Sequence, residues 1–213
     1  EGDVQAILIG SVLIDGQAPL AADGGNVWMS GDVTLVLVGS NISLGTASEG
    51  SGGGIYCENG GSVLVDRGSL MQQNTSSESG GGIFAQGCSI ENRGWIRFNE
   101  TSGDGGGIYA TAGASVVLTG ESTLELGSLI FNGAGRDGGG LYLHGSGTTG
   151  IARSTSIRGN FAAVSGGGVV VASGATFTMD VDPATCSIGR GCSRLSDNQG
   201  GTWGAGALDV TAG

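Results

Sequence analysis

Two aspartates stand where they could act together. Asp104 in "FNETSGDGGGIY" and Asp137 in "FNGAGRDGGGLY" each precede a run of three glycines in otherwise similar segments. On neighbouring strands, roughly 4.8 Å apart, two carboxylates could share a divalent cation or work as acid and base in glycoside cleavage. Ser51, Ser79 and Ser165 hold the same position in related segments, so the acidic row is short and the pair reads as solvated turn residues. The only histidine, His144 in "LYLHGSG", has no acidic neighbour in sequence and reads as a surface side chain. The four cysteines lack CxxC spacing, which argues against a Cys/His zinc site. Cys57 with Cys88, and Cys186 with Cys192 in "CSIGRGC", read instead as two disulfides, and disulfides imply an oxidising, extracytoplasmic location. No catalytic residue, metal site or cofactor is expected, and the chain reads as a non-enzyme.

Composition narrows the partners. Glycine contributes 47 of 213 residues, yet aliphatic residues are spread in short runs throughout, as in a folded chain and not a linker. The formal net charge is −11, with eight Lys plus Arg, so a basic footprint for nucleic acid is missing and an anionic membrane surface would repel the chain. No apolar run reaches the roughly 20 residues of a membrane-crossing helix, and membrane insertion is not expected. The chain starts at Glu1 and reads as a mature or excised piece.

A repeat organises these residues. "MQQNTSSESGGGIF", "IRFNETSGDGGGIY", "LIFNGAGRDGGGLY", "IRGNFAAVSGGGVV" and "LSDNQGGTWGAGAL" align without a gap. Each places an apolar residue three before an Asn, then five variable residues, then Gly-(Gly/Ala)-Gly and two mostly apolar positions. A sixth copy, from Val38, fits with five extra residues between Asn41 and Gly52, and "DGGNVWMSGDVTLVLVGSN" resembles a degenerate first copy. Between one glycine triplet and the next Asn lie short alternating or β-branched stretches, strand-sized and unsuited to a helix. About three such strands per repeat can bury their apolar faces only by winding into stacked coils. The expectation is an all-β, right-handed parallel β-helix of about seven coils of three short strands, the hand following from the crossover rule. As one domain it spans 1–213, with an incomplete N-terminal coil at 1–23, repeat coils at 24–208 and a tail at 209–213. Stacked coils would align Asn41, Asn74, Asn99, Asn132, Asn160 and Asn198 into an amide ladder.

The pairing of [LIMV]-x-x-N with G-[GA]-G-[ILV] resembles the FxxN and GGA(I/L/V) motifs of chlamydial polymorphic outer-membrane proteins and related bacterial surface repeat proteins. The resemblance runs from Gly24 to Leu208 and implies a right-handed parallel β-helix passenger serving as an adhesin or surface scaffold. Phe is replaced at the first motif position by Met, Ile or Leu, and no membrane-anchoring β-barrel follows in the sequence.

Stacking would also set Tyr56, Phe84, Tyr109 and Tyr142 in one outward column beside the glycines, with Ile55, Ile83, Ile108 and Leu141 inside. The column reads either as a packing ladder or as a binding stripe for sugar rings or a partner. Three sequons, at Asn41, Asn74 and Asn99, coincide with the ladder and are expected to be closed to glycans. Neither end offers a capping helix, and the two cut points complement each other, which suggests head-to-tail self-association. The expected function is a secreted or cell-surface structural protein, an adhesin or filament subunit with itself or a surface glycan as partner. The competing reading is a carbohydrate-binding or polysaccharide-degrading β-helix module.

Overall fold

The computed structural model describes residues 4–120, 127–180, 192–201 and 204–211. Within them the chain winds as an all-β parallel solenoid of about six turns, each visiting four sheets, here A to D in the order the chain meets them. A middle turn consists of Ser89–Asn92 in sheet A, Trp95–Arg97 in B, Glu100–Thr101 in C and Ile108–Thr111 in D. Each strand pairs in parallel with the corresponding strand of the turns before and after.

Three strands per coil was an undercount. The sheet C strands are two residues long, such as Thr75–Ser76, Glu100–Thr101 and Gly133–Ala134. They fall inside the five variable residues after the Asn, too short and too polar to show a period. The coil count falls from seven to about six, because the last stretch contributes only Thr176–Asp180, Arg194–Ser196 and Leu208–Thr211 among the described residues. Val4–Ser30 supplies one strand to each sheet, and Leu208–Thr211 is the last strand of sheet D.

Alternation within the strands fills the interior. Ile55, Ile83, Ile108, Leu141 and Val169 form one fully buried column, and Ile42, Met71, Ile96, Leu129 and Ile157 another. Each such side chain contributes roughly 1.5–3 kcal/mol of burial. In the first turn Val4, Ile7, Ile9, Val12 and Ile14 are exposed.

Candidate functional site

The features singled out from the sequence converge on the corner between sheets B and C and on the stretch leading into sheet D. At the first, the chain turns after each sheet B strand through a residue in the left-handed region. Leu44, Gln73, Phe98, Phe131 and Asp197 hold φ between 54° and 57°, a conformation that costs non-glycine residues energy unless the surroundings enforce it. The next residue points inward, and there the ladder forms.

Asn99 shows the regular rung. Its Oδ1 accepts the Asn74 backbone N–H (3.0 Å) and the Asn74 Nδ2–H (2.9 Å), while its own Nδ2 donates to the Met71 carbonyl (3.1 Å) and Asn132 Oδ1 (3.0 Å). Asn132 repeats this with Asn160, and Asn160 with Asn198. Asn74, Asn99, Asn132 and Asn160 are buried, yet every amide is bonded, as burial requires.

Asn41 is not in the ladder. It stands in the sheet B strand Asn41–Ser43, opposite Val12 and Leu70, and its Oδ1 is buried without a partner. The ladder position of this turn falls on Gly45, whose N–H donates to Asn74 Oδ1 (2.9 Å). The missing amide arrives from Asn26, just before sheet D, which accepts the Gly16 N–H (3.0 Å) and donates to Asn74 Oδ1 (3.1 Å) and the Ser43 carbonyl (3.1 Å). Where most turns read Gly-Gly-Gly, the turn before that of Gly45 reads Gly24-Gly25-Asn26, so Gly and Asn have exchanged places between adjacent turns. The signal was legible as "DGGN" in place of "GGG", combined with Ile42-x-x-Gly45 in place of I-x-x-N. Sequons at Asn74 and Asn99 coincide with bonded, buried amides, and that at Asn41 does not.

The exchange explains the glycine triplet. Gly105 has φ +71°; a Cβ on Gly106 would lie 2.6 Å from the Gly139 carbonyl oxygen; and one on Gly107 would lie 2.5 Å from the Gly140 oxygen and 3.1 Å from Asn132 Nδ2. The three glycines thus set the turn, admit the next turn's backbone and make room for the next turn's amide.

The aromatic column stands as expected and extends further. Tyr56, Phe84, Tyr109 and Tyr142 stack with centroids 5.0, 5.2 and 5.2 Å apart and planes within 7° of parallel. Trp28 is in register with Tyr56 and 58% exposed, a member the sequence reading missed because its turn is degenerate. Each inner ring face is covered by a neighbouring ring, so these tyrosines present edges and hydroxyls to solvent. Burial, reinforced by Asp104, pushes the Tyr142 hydroxyl up to about 12; burial, with Asp23 and Glu58, does the same for Tyr56. A second stack, Phe98 on Phe131 at 5.5 Å, occupies the corner between sheets B and C, with the Arg97 and Arg158 guanidiniums over its rings at 5.7 and 5.4 Å.

Asp104 and Asp137 do meet. The Asp137 N–H donates to Asp104 Oδ1 (3.1 Å), and Arg136 Nε lies 3.8 Å from the same oxygen. Asp23 likewise accepts the Ser51 N–H (2.7 Å), so at this position an aspartate ties one turn to the next. Burial and then the Asp104 charge raise the Asp137 carboxyl above its ordinary range. Among the described residues no group of three or more His, Cys, Asp or Glu is arranged to hold a metal. His144 lies 3.5 Å from Thr111 Oγ1 and beside the Tyr142 ring.

Cys57 and Cys88 form a disulfide, with Cα atoms 6.3 Å apart, that links the sheet D strand Ile55–Glu58 to the segment entering a later sheet A strand. In the other expected pair, Cys186 with Cys192, Cys186 lies outside the described residues.

No protein-family model matches the chain, and no significant match is found among curated proteins or solved structures.

Proposed function

We propose that this protein is a rigid extracytoplasmic scaffold, a right-handed β-helix of the surface-passenger type, whose work is assembly or adhesion and not catalysis. One observation carries the reading: the side chains best suited to chemistry or recognition are spent between turns. The asparagine amides bond one another, Asp104 holds the Asp137 backbone, and the tyrosine faces lie against other rings. Right-handed winding rests on the crossover preference of parallel strands. Extracytoplasmic location rests on the Cys57–Cys88 disulfide. A net charge of −11 favours neither nucleic acid nor an anionic membrane as partner.

Assembly uses the strand edges. The outer edge of Val4–Ile9 flanks exposed Val4, Ile7 and Ile9, and such an edge accepts a further coil. A second copy stacked head to tail supplies one, meeting the edge of Thr176–Asp180 at the other end of sheet A. Electron microscopy of the purified chain tests this: rods of increasing length with concentration are expected, and particles of one short length would sink it.

Trp28 favours a second reading, a glycan-binding module, because it offers an exposed indole at the end of the column. A glycan array comparing the native chain with Trp28→Ala and with Tyr109→Ala/Tyr142→Ala separates the two. Specific binding lost on either change would favour the glycan module.

A further inference from the structure

Charge is unevenly placed around the coil. All eight basic residues are arginines. Three of them, Arg97, Arg158 and Arg194, stand on sheet B strands, and no carboxylate occurs in any of the seven strands of that sheet. Beside them Phe98, Phe131 and Phe161 are 47%, 45% and 50% exposed. Arg97 and Arg158 are held over the phenylalanine rings, and Arg97 Nε donates to Gln72 Oε1 (3.0 Å), so this surface is ordered before anything binds it. Among the described residues, the carboxylates Asp15 and Asp197 stand at the two ends of the same corner, and Glu100 stands on sheet C.

Sheet D and the stretch leading into it have the opposite character. Glu58 lies on a sheet D strand, and Asp23, Glu78, Asp104 and Asp137 precede successive strands, with Asp209 in the last. Arg136 is the basic residue set among them. The fields of these carboxylates are what reinforce burial in raising the Tyr56 and Tyr142 hydroxyls. Round the coil, sheet C separates the two faces on one side and sheet A on the other.

We propose that the arginine–phenylalanine face of sheet B docks laterally on the acidic sheet D margin of a second copy of this chain. Aromatic residues and arginine, without lysine, are the composition of interface centres. On a molecule of net charge −11, a local cationic face is complementary to the rest of the same molecule. The contact joins unlike faces, so it does not close on itself and propagates into rows. It is a different surface from the strand edges of end-to-end stacking, and it shares with that reading only the premise that copies associate.

Sedimentation velocity on the full chain, at about 0.15 M salt where the screening length is about 8 Å, tests it. Three proteins are compared: native, Arg97→Glu/Arg158→Glu, and Glu58→Lys/Glu78→Lys, each checked for native circular dichroism. Arg97→Gln/Arg158→Gln stands in if the glutamate pair misfolds. The native chain is expected to associate, each altered chain to associate at least about tenfold more weakly, a change of about 1.4 kcal/mol, and an equimolar mixture of the two charge-reversed chains to associate again as pairs. About 1 M salt should weaken the native association. A native chain that stays monomeric to about 1 mM overturns the proposal. So does association indifferent to both charge changes, which would leave end stacking standing, or a mixture that fails to recover. Conversely, charge-sensitive association that survives Ile7→Lys/Ile9→Lys would stand without end stacking.

Discussion

At Asn99 the ladder amide follows directly from its own sheet B strand, whereas at the Gly45 level it reaches in from Asn26, on the stretch leading into sheet D in the turn before. Both arrangements fill one site: an amide accepting the N–H of the turn before and donating to the carboxamide of the turn after. They differ in which backbone carries the Cβ. In the regular rung the Asn is opposed by a glycine of the triplet, and in the first rung the glycine is Gly45 itself, where a Cβ would fall 2.9 Å from Asn26 Cγ. What the winding demands is one amide and one empty Cβ position per turn, in either order.

Disruption is expected to cost most at a regular rung. Asn99→Ala removes four hydrogen bonds and leaves buried groups on two neighbouring turns unpaired, at roughly 1–3 kcal/mol each. Urea unfolding followed by circular dichroism should show a loss of about 3–5 kcal/mol; under about 1 kcal/mol would mean the ladder is not a main support. The exchange is sharpened by a mutant cycle. Asn26→Gly should cost about 1–3 kcal/mol, and Gly45→Asn a similar amount through collision with Asn26. Together they should cost less than their sum by at least about 1 kcal/mol, although the Gly53 carbonyl also crowds position 45 and keeps recovery incomplete. Strict additivity would refute the equivalence of the two rungs.

A smaller contrast separates the inside and the end of the aromatic column. Tyr109→Leu loses two stacked neighbours and should cost about 1–2 kcal/mol, while Trp28→Leu at the exposed end should cost under about 0.5 kcal/mol. The smallest effect concerns pH. Tyr56 and Tyr142 keep their protons to about 12 in the folded chain against about 10 unfolded, so the folded state binds more protons between these values. Their contribution is complete below pH 10 and is lost as pH rises through 12. Stability measured from pH 9.5 to 12 should therefore fall less steeply in Tyr56→Phe/Tyr142→Phe than in the native chain.

Much of this was legible in the residues. The spacing of Asn74, Asn99, Asn132, Asn160 and Asn198 carried the register, because stacked turns repeat one chemical requirement at one place. Ile108 and Tyr109 revealed an inside and an outside by strand alternation. Sheet C escaped notice because two residues such as Glu100–Thr101 are too few to display a period. Asn41 misled because an Asn near the expected place outweighed the better match of Gly45 to the motif's distance from the glycine triplet, six intervening residues against ten. That Asp104 bonds a backbone N–H of the next turn could not be read from its neighbours in sequence, since its partner is 33 residues away.

The amide ladder has one further consequence. From Asn26 through Asn74, Asn99, Asn132 and Asn160, each Nδ2 directs one N–H to the Oδ1 of the next asparagine, ending at Asn198 Oδ1, while Nδ2 also donates to a backbone carbonyl. The carboxamide dipoles therefore add along the axis and polarise one another. The solenoid is a vector as well as a rod: the series opens on the Gly16 N–H, a donor to Asn26 Oδ1, and ends on Asn198 Oδ1, an acceptor. Two copies that continue the series can do so only pointing the same way.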